Sequence, residues 1–145
     1  ARFANAIARA GEEVSLSDLQ RMVSVLTPYK RLTTSFRFEA GSSLLDAQSR
    51  SNVDQLAAAL ESGVYDGREI MFVGFSDGDG AAPVNQRIAM ERAKAVERAV
   101  VAAARAADLD RLSLRVEAFG EAMPMACDDS AWGRQVNRRV EVWVN

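Results

Sequence analysis

The sequence predicts an α/β sandwich in which a mixed four-stranded sheet carries helices packed on one of its faces. Strand-like and helix-like stretches follow one another in the order β-α-β-α-β-loop-β. Strands joined through helices indicate a sheet that is at least partly parallel, because a parallel pair requires a crossover connection. The chain has 145 residues, of which 48% are hydrophobic, which suits a single domain with a substantial core.

We interpret residues 1–32 as a linker with an accessory helix, and residues 33–145 as the domain itself. The stretch SLSDLQRMVSVL at 15–26 has apolar residues at the spacing of a short amphipathic helix, and Pro28 ends it. We expect this segment to join the domain to an upstream domain of the same protein.

The first half of the domain contains two strands around one helix. Polar and apolar residues alternate at 35–38, as in a strand. Apolar residues between about 46 and 62 recur at i, i+3, i+4 and i+7, which predicts a helix. The apolar run at 68–74 lies between glycines and is typical of a strand buried on both faces.

The second half begins with a longer helix, at about 84–107, whose later part is rich in alanine. Residues 112–118 and 140–144 then alternate between apolar and polar side chains. This period of two predicts two further strands, each with one buried face.

Charge and hydropathy disfavour several classes of partner. The formal net charge is -2, so the chain lacks the basic field that nucleic acid or an anionic membrane surface would attract. Its longest apolar runs are far shorter than the roughly 20 residues of a membrane-spanning helix. We therefore expect no nucleic-acid partner and no direct membrane insertion.

The chain has no histidine and a single cysteine, Cys127. This composition removes the histidine-based triad, the usual zinc sets and any disulfide within the chain. We interpret Cys127 as a half-buried filler rather than a lone nucleophile, since no histidine is present to activate it. We therefore expect no enzyme activity, no metal and no cofactor.

Arg92 has an unexpected place on the second helix. On a helical wheel it falls within the apolar arc that contains Ile88 and Val96, whereas the neighbouring Glu91 and Lys94 fall outside that arc. A guanidinium held against a core is costly unless it meets an anion. That anion is either a carboxylate of the protein or part of a ligand.

The loop GFSDGDG at 74–80 precedes this helix and leaves the C-terminal end of a buried strand, where ligands bind in α/β sheets. Its glycines do not form a nucleotide-binding pattern. Asp77 and Asp79 lack the further oxygen ligands that a calcium loop requires. A simpler alternative for Asp77 is that its side chain stabilises the turn through hydrogen bonds to the nearby backbone. Asn85 lies on the same arc of the helix as Arg92, so a carboxylate, an amide and a guanidinium converge on one end of the sheet. Asp77 can bind an ammonium group and Arg92 a carboxylate, so the pair suits an amino-acid head group.

Three motifs in this order resemble the signature of OmpA-like C-terminal domains: GFSDGDG at 74–80, NQRIAMERA at 85–93 and NRRV at 137–140. The resemblance covers about residues 35–144 and implies non-covalent binding of peptidoglycan. It places Asp77 on the amine and Arg92 on the carboxylate of the diaminopimelate side chain of a stem peptide. The further site residues that it implies are Asn85, Ser76 and Gly78, and, with less weight, Glu39, Gly41, Ser42, Phe75 and Arg138.

Some positions depart from the usual pattern of OmpA-like domains. Phe75 stands where histidine is common, Ser76 where threonine is common, Ala89 where serine is common, and Gly41 where a polar side chain is common. The charged pair is retained while part of its supporting hydrogen bonding is lost. The alternative is therefore a structural or assembly module of the same fold that no longer binds the wall, with Asp77 and Arg92 paired to each other.

The last strand and its surroundings complete these expectations. Arg138 and Arg139 are expected to pair with structural carboxylates or solvent more readily than with ligand, and Trp132 and Trp143 are assigned to packing.

The C-terminal sequence GRQVNRRVEVWV is also similar to OmpA-like domains appended to periplasmic substrate-binding proteins of the phosphate type. The resemblance implies a periplasmic protein of the cell envelope, with the outer membrane as one place of association.

Overall fold

A computed structural model describes residues 16–38, 44–76, 82–119 and 138–145. These ranges contain three α-helices, four strands and one short 3-10 turn. In chain order they are α1 (Leu16–Leu26), β1 (Lys30–Arg37), α2 (Ala47–Glu61), β2 (Glu69–Gly74), α3 (Ala82–Ala103), the turn Leu109–Arg111, β3 (Ser113–Ala118) and β4 (Arg139–Val144).

The four strands form one mixed sheet in the order β1-β4-β2-β3. β2 and β3 are parallel, while β4 runs antiparallel to both of its neighbours, β1 and β2. The predicted mixed four-stranded sheet with its α/β order is therefore confirmed. Because β1, β2 and β3 all run in one direction, their C-terminal ends meet the start of β4 at the same end of the sheet.

Helices α2 and α3 cover one face of this sheet and enclose the main apolar cluster. Alternate residues of the central strands point into it, among them Ile70 and Phe72 of β2 and Val142 of β4, all fully buried. The two helices contribute the apolar stripes that their sequence spacing predicts, for example Leu56 and Val96. Burial of these stripes against the sheet is what holds the helices in place.

Gly74 sets the distance between α3 and the end of β2. A Cβ atom at this position would lie 2.0 Å from the backbone oxygen of Ala89, in the middle of α3. Only glycine allows the strand and the helix to approach so closely. Asn85 and Arg92 lie on either side of Ala89, so this contact positions both of them over the end of the sheet.

The edge strand β1 is fastened to the start of α2. Ser49 Oγ accepts a hydrogen bond from the backbone N–H of Arg37 at 2.8 Å, and Asn52 Nδ2 donates to the carbonyl of Ser35 at 2.8 Å. Asp46 caps α2 by accepting from the backbone N–H of Ser49 at 2.7 Å. These bonds occupy part of the outer edge of β1 and fix its C-terminal end.

β1 begins at Lys30, five residues before the predicted start, so the strand reaches back into the segment interpreted as a linker. Its first residues, KRLTT, are mostly polar and carry no clear alternation. These residues form the edge of the sheet and pair with β4 on one side only, beginning with Lys30 and Val144. An edge strand can be largely polar, so its sequence need not show the alternation of a buried strand.

Helix α1 packs on the opposite face of the sheet from α2 and α3. Met22 is buried there against Met71, Val73, Phe75 and Phe119. A helix on this face adds to the predicted arrangement, which placed helices on one face only. It also explains why β4 is buried on both faces, with Glu141 and Arg139 covered, although its alternating sequence predicts one exposed face.

Candidate functional site

Four buried polar side chains gather at the end of the sheet where β1, β2 and β3 finish and β4 begins. Ser76 follows β2, Arg138 precedes β4, and Asn85 and Arg92 lie on the first half of α3. Their exposed fractions are 3%, 8%, 3% and 2% respectively. Polar groups buried together require partners, so this end of the sheet differs chemically from the apolar core beneath it.

Arg92 lies in the buried arc of α3 that its helical-wheel position predicts. Its guanidinium carbon is 5.5 Å from the centre of the Phe38 ring, close enough for a cation–π contact. The planar group is thus held at the C-terminal end of β1, where its forked N–H donors suit a carboxylate.

Phe38 also receives a hydrogen bond from the second arginine of this end of the sheet. Arg138 Nε donates to the Phe38 carbonyl at 3.3 Å, while the Phe38 ring contacts Arg92. Phe38 therefore contacts both arginines, one through its carbonyl and one through its ring. Sequence reasoning missed Phe38, although its place at the end of the alternating strand at 35–38, directly before the predicted site residue Glu39, was a usable signal.

Ser76 contributes a hydroxyl to the same end. Within the described parts of the chain, its Oγ is buried and has no hydrogen-bond partner. An unsatisfied buried hydroxyl is destabilising by about 1–3 kcal/mol. A ligand atom or a water molecule that bonded to Ser76 would remove that penalty.

Several predicted site residues lie outside the described residues, and their placement is not part of this structure. They are Asp77, Gly78, Glu39, Gly41 and Ser42. Cys127 and Trp132 lie outside the described residues as well. Phe38 and Ser76 are the last described residues before the two ranges that contain these predicted site residues. Both lie at the same end of the sheet as Arg92.

A model of the OmpA family matches residues 37–138, which is more than half of the chain. The chain belongs to the OmpA family. The matched range runs from the end of β1 to Arg138 and so contains all four polar residues at the end of the sheet.

Among curated relatives of this OmpA-family domain is the probable lipoprotein YiaD of Escherichia coli (strain K12). It is 27% identical over 105 residues, which are 72% of this chain and 45% of YiaD. The chain therefore spans less than half of the length of this relative.

Two solved structures show the same fold. The peptidoglycan-associated lipoprotein from Burkholderia pseudomallei has a TM-score of 0.65 at 24% identity, covering 80% of this chain and 91% of that one. The cell wall anchor of the T6SS from Pseudomonas aeruginosa has a TM-score of 0.58 at 22% identity, covering 92% and 98%. At these identities the likeness concerns the fold alone.

Phe75 lies on the opposite face of the sheet from Asn85 and Arg92, two of the other predicted site residues. Its side chain belongs to the cluster beneath α1, where its ring centre is 4.0 Å from the guanidinium carbon of Arg139 and 6.2 Å from the Phe119 ring centre. Arg92 and Asn85 belong to α3, on the other face. The structure places Ser76, Asn85, Arg92 and Arg138 in buried positions at one end of the sheet, and it places the Phe75 side chain in the cluster on the α1 face.

Arg139 pairs with a carboxylate, as sequence analysis favoured. Its Nε donates to Glu141 Oε2 at 2.9 Å, and both side chains are almost fully buried on the α1 face.

Within the described ranges there is no helix long and apolar enough to cross a membrane. The same ranges contain no group of three or more metal-ligating side chains.

Proposed function

We propose that this OmpA-family domain binds peptidoglycan non-covalently through the diaminopimelate side chain of a stem peptide. The observation that carries the proposal is the placement of Ser76, Asn85, Arg92 and Arg138 in buried positions at one end of the sheet. Two arginines in this setting provide strong, directed donors for a ligand carboxylate. No reaction is catalysed in this account.

Each end of the ligand has a proposed partner. Arg92 binds the carboxylate, and its contact with the Phe38 ring holds the guanidinium plane in place. Asp77, which directly follows the buried Ser76 in the sequence, takes the ammonium group. Ser76 and Asn85 supply hydrogen bonds between the two, and the backbone at Gly78 completes the site, with Glu39, Gly41 and Ser42 as the opposite wall.

The cellular role follows from the ligand. Relatives named as a peptidoglycan-associated lipoprotein and as a cell wall anchor support a tether that holds a cell-envelope protein to the wall. We place the domain in the periplasm, with the outer membrane as one place of association. We assign residues 33–145 to the wall-binding domain and residues 1–32 to the connection with an upstream domain, for which a phosphate-type substrate-binding protein is the proposed identity.

The alternative function is a structural module that has kept the fold and lost wall binding. Two observations favour it. Ala89 is fully buried against Gly74 and offers no hydroxyl, and Phe75 points to the α1 face rather than toward Arg92. In that case Asp77 pairs with Arg92 in place of a ligand.

Sedimentation with purified diaminopimelate-type sacculi separates the two functions. Wild-type protein is expected to pellet with the sacculi, and Asp77→Ala and Arg92→Gln are each expected to weaken binding by at least about tenfold, since bonds to charged groups are lost. The matched controls are Asp54→Ala and Arg98→Gln, which remove the same charges from exposed positions on α2 and α3.

Three outcomes are informative. Wild-type protein that stays in the supernatant at low and moderate salt would favour the structural module. Pelleting that both site variants retain in full would keep the function and reject the site. Loss of pelleting in the controls as well would show that net charge, and not the site, governs the interaction.

A further inference from the structure

A cavity of about 270 Å³ lies between α1 and the sheet, on the face away from α2 and α3. Met22, Val23 and Leu26 form its wall on the α1 side, and the rings of Phe75 and Trp143 line it from the sheet. Its size is close to the lower end of the range for small-ligand sites, about 300 Å³.

Charged side chains also line this cavity. Glu141 accepts from Arg139 Nε at 2.9 Å, from Trp143 Nε1 at 3.1 Å and from Arg31 Nη1 at 3.5 Å. Among the described residues, the lining contains two guanidinium groups and one carboxylate, and that carboxylate already accepts from three donors. The charge of these described lining residues is positive in sum.

Arg31 connects the cavity with solvent. Its side chain is 40% exposed, whereas that of Glu141 is 5% exposed, so the guanidinium lies at the rim and the carboxylate lies inside. Thr27, another lining residue, is exposed as well. An anion entering from this side meets Arg31 before it meets Glu141.

We propose that this cavity is a second binding site, which takes a small organic carboxylate with an aromatic or branched apolar body. The apolar body packs against Phe75, Trp143 and the α1 wall, and the carboxylate meets Arg31 at the rim. An uncharged molecule of the same shape gains only the first of these contacts. The site lies on the opposite face from Arg92 and does not depend on wall binding.

Trp143 makes binding measurable. The chain has two tryptophans, so in the full chain carrying Trp132→Phe the fluorescence reports Trp143 alone. Benzoate is the probe, and benzamide is the matched neutral probe. We expect benzoate to change the emission of Trp143 in the millimolar range suited to a ligand of about nine non-hydrogen atoms, and to bind about tenfold more tightly than benzamide.

Two variants locate the binding. Arg31→Gln is expected to reduce the preference for benzoate over benzamide to about one, whereas Arg98→Gln, an exposed arginine on α3, leaves the preference unchanged. Val23→Phe places a ring in the cavity and is expected to abolish the response to both probes, with the fold checked by circular dichroism.

The proposal is overturned by any of three results. Emission that neither probe changes indicates a cavity that holds only water. Equal binding of benzoate and benzamide removes the role of Arg31. Unchanged benzoate binding in a folded Val23→Phe protein places the binding elsewhere.

Discussion

The two faces of the sheet are built from the same strands by different means. On the α2 and α3 face, Ile70 and Phe72 join a large, purely apolar cluster. On the α1 face, Met71 and Val73 join a smaller cluster bordered by the buried pair of Arg139 and Glu141. The first face packs α3 closely against β2 at Gly74. The second face combines apolar packing with a buried ion pair and contains a cavity.

Phe72→Ala should have the largest effect on stability, because its ring is fully buried in the large cluster. We expect the free energy of unfolding to fall by about 4 kcal/mol. Met71→Ala, on the other face of the same strand, should cost about 2 kcal/mol, because the single helix α1 can settle into the space. Urea titration of both variants checks this, and a larger loss for Met71→Ala would contradict the comparison.

Gly74→Ala should be nearly as damaging, since the new Cβ would lie 2.0 Å from the Ala89 carbonyl oxygen. We expect a loss of about 3 kcal/mol, because α3 must move away from β2. Gly67→Ala is the control: Gly67 has φ of +76° but nothing within 4 Å of its Cβ position, and it should cost about 1 kcal/mol. Equal losses in the two variants would show that α3 does not depend on this contact.

Glu141→Gln tests the contribution of charge on the α1 face. The substitution preserves shape but removes the negative charge that Arg139 and Arg31 contact, and we expect a loss of about 2 kcal/mol in urea titration. Glu117→Gln is the matched control, since Glu117 forms more exposed ion pairs with Arg21 and Arg115 and should lose less than about 1 kcal/mol. An unchanged free energy of unfolding in Glu141→Gln would show that apolar packing alone stabilises the α1 face.

The smallest effect concerns Tyr29 at high pH. Burial, followed by the hydrogen bond that its hydroxyl donates to Glu69, raises the pKa of Tyr29 above the usual 10.0. Because the folded-state pKa is raised, this stabilisation is fully present below pH 10 and is lost as the pH rises through the folded value. Tyr29→Phe should therefore lose less stability than the wild type as the pH rises above 10, and parallel curves in urea titrations through that rise would contradict this cause.

Sequence patterns predicted most of the helices and strands, because apolar residues recur at a regular spacing in an element that buries one face. The stripe on α2, the apolar run of β2 and the buried position of Arg92 on α3 follow from such spacing. The same patterns do not report what covers the second face of a strand. Glu141 and Trp143 alternate with valines as an exposed face would, yet α1 and the pairing with Arg139 bury Glu141.

The candidate site shows the same limit. Asn85 and Arg92 were predicted from their shared arc on one helix, which is a local property. The direction of Phe75 and the role of Phe38 depend on contacts between separate elements, such as those of Phe75 with Arg139 and of Phe38 with Arg138. Spacing along one strand does not encode these contacts.

Calorimetric titration with meso-diaminopimelate tests the site most directly, with cadaverine as the control ligand, because this diamine has the same carbon spacing between its amines and lacks both carboxylates. We expect diaminopimelate to bind, cadaverine to bind at least about tenfold more weakly, and Arg92→Gln, but not Arg98→Gln, to remove the difference. Equal binding of the two ligands, or an unchanged preference in Arg92→Gln, would contradict a site in which Arg92 holds the ligand carboxylate.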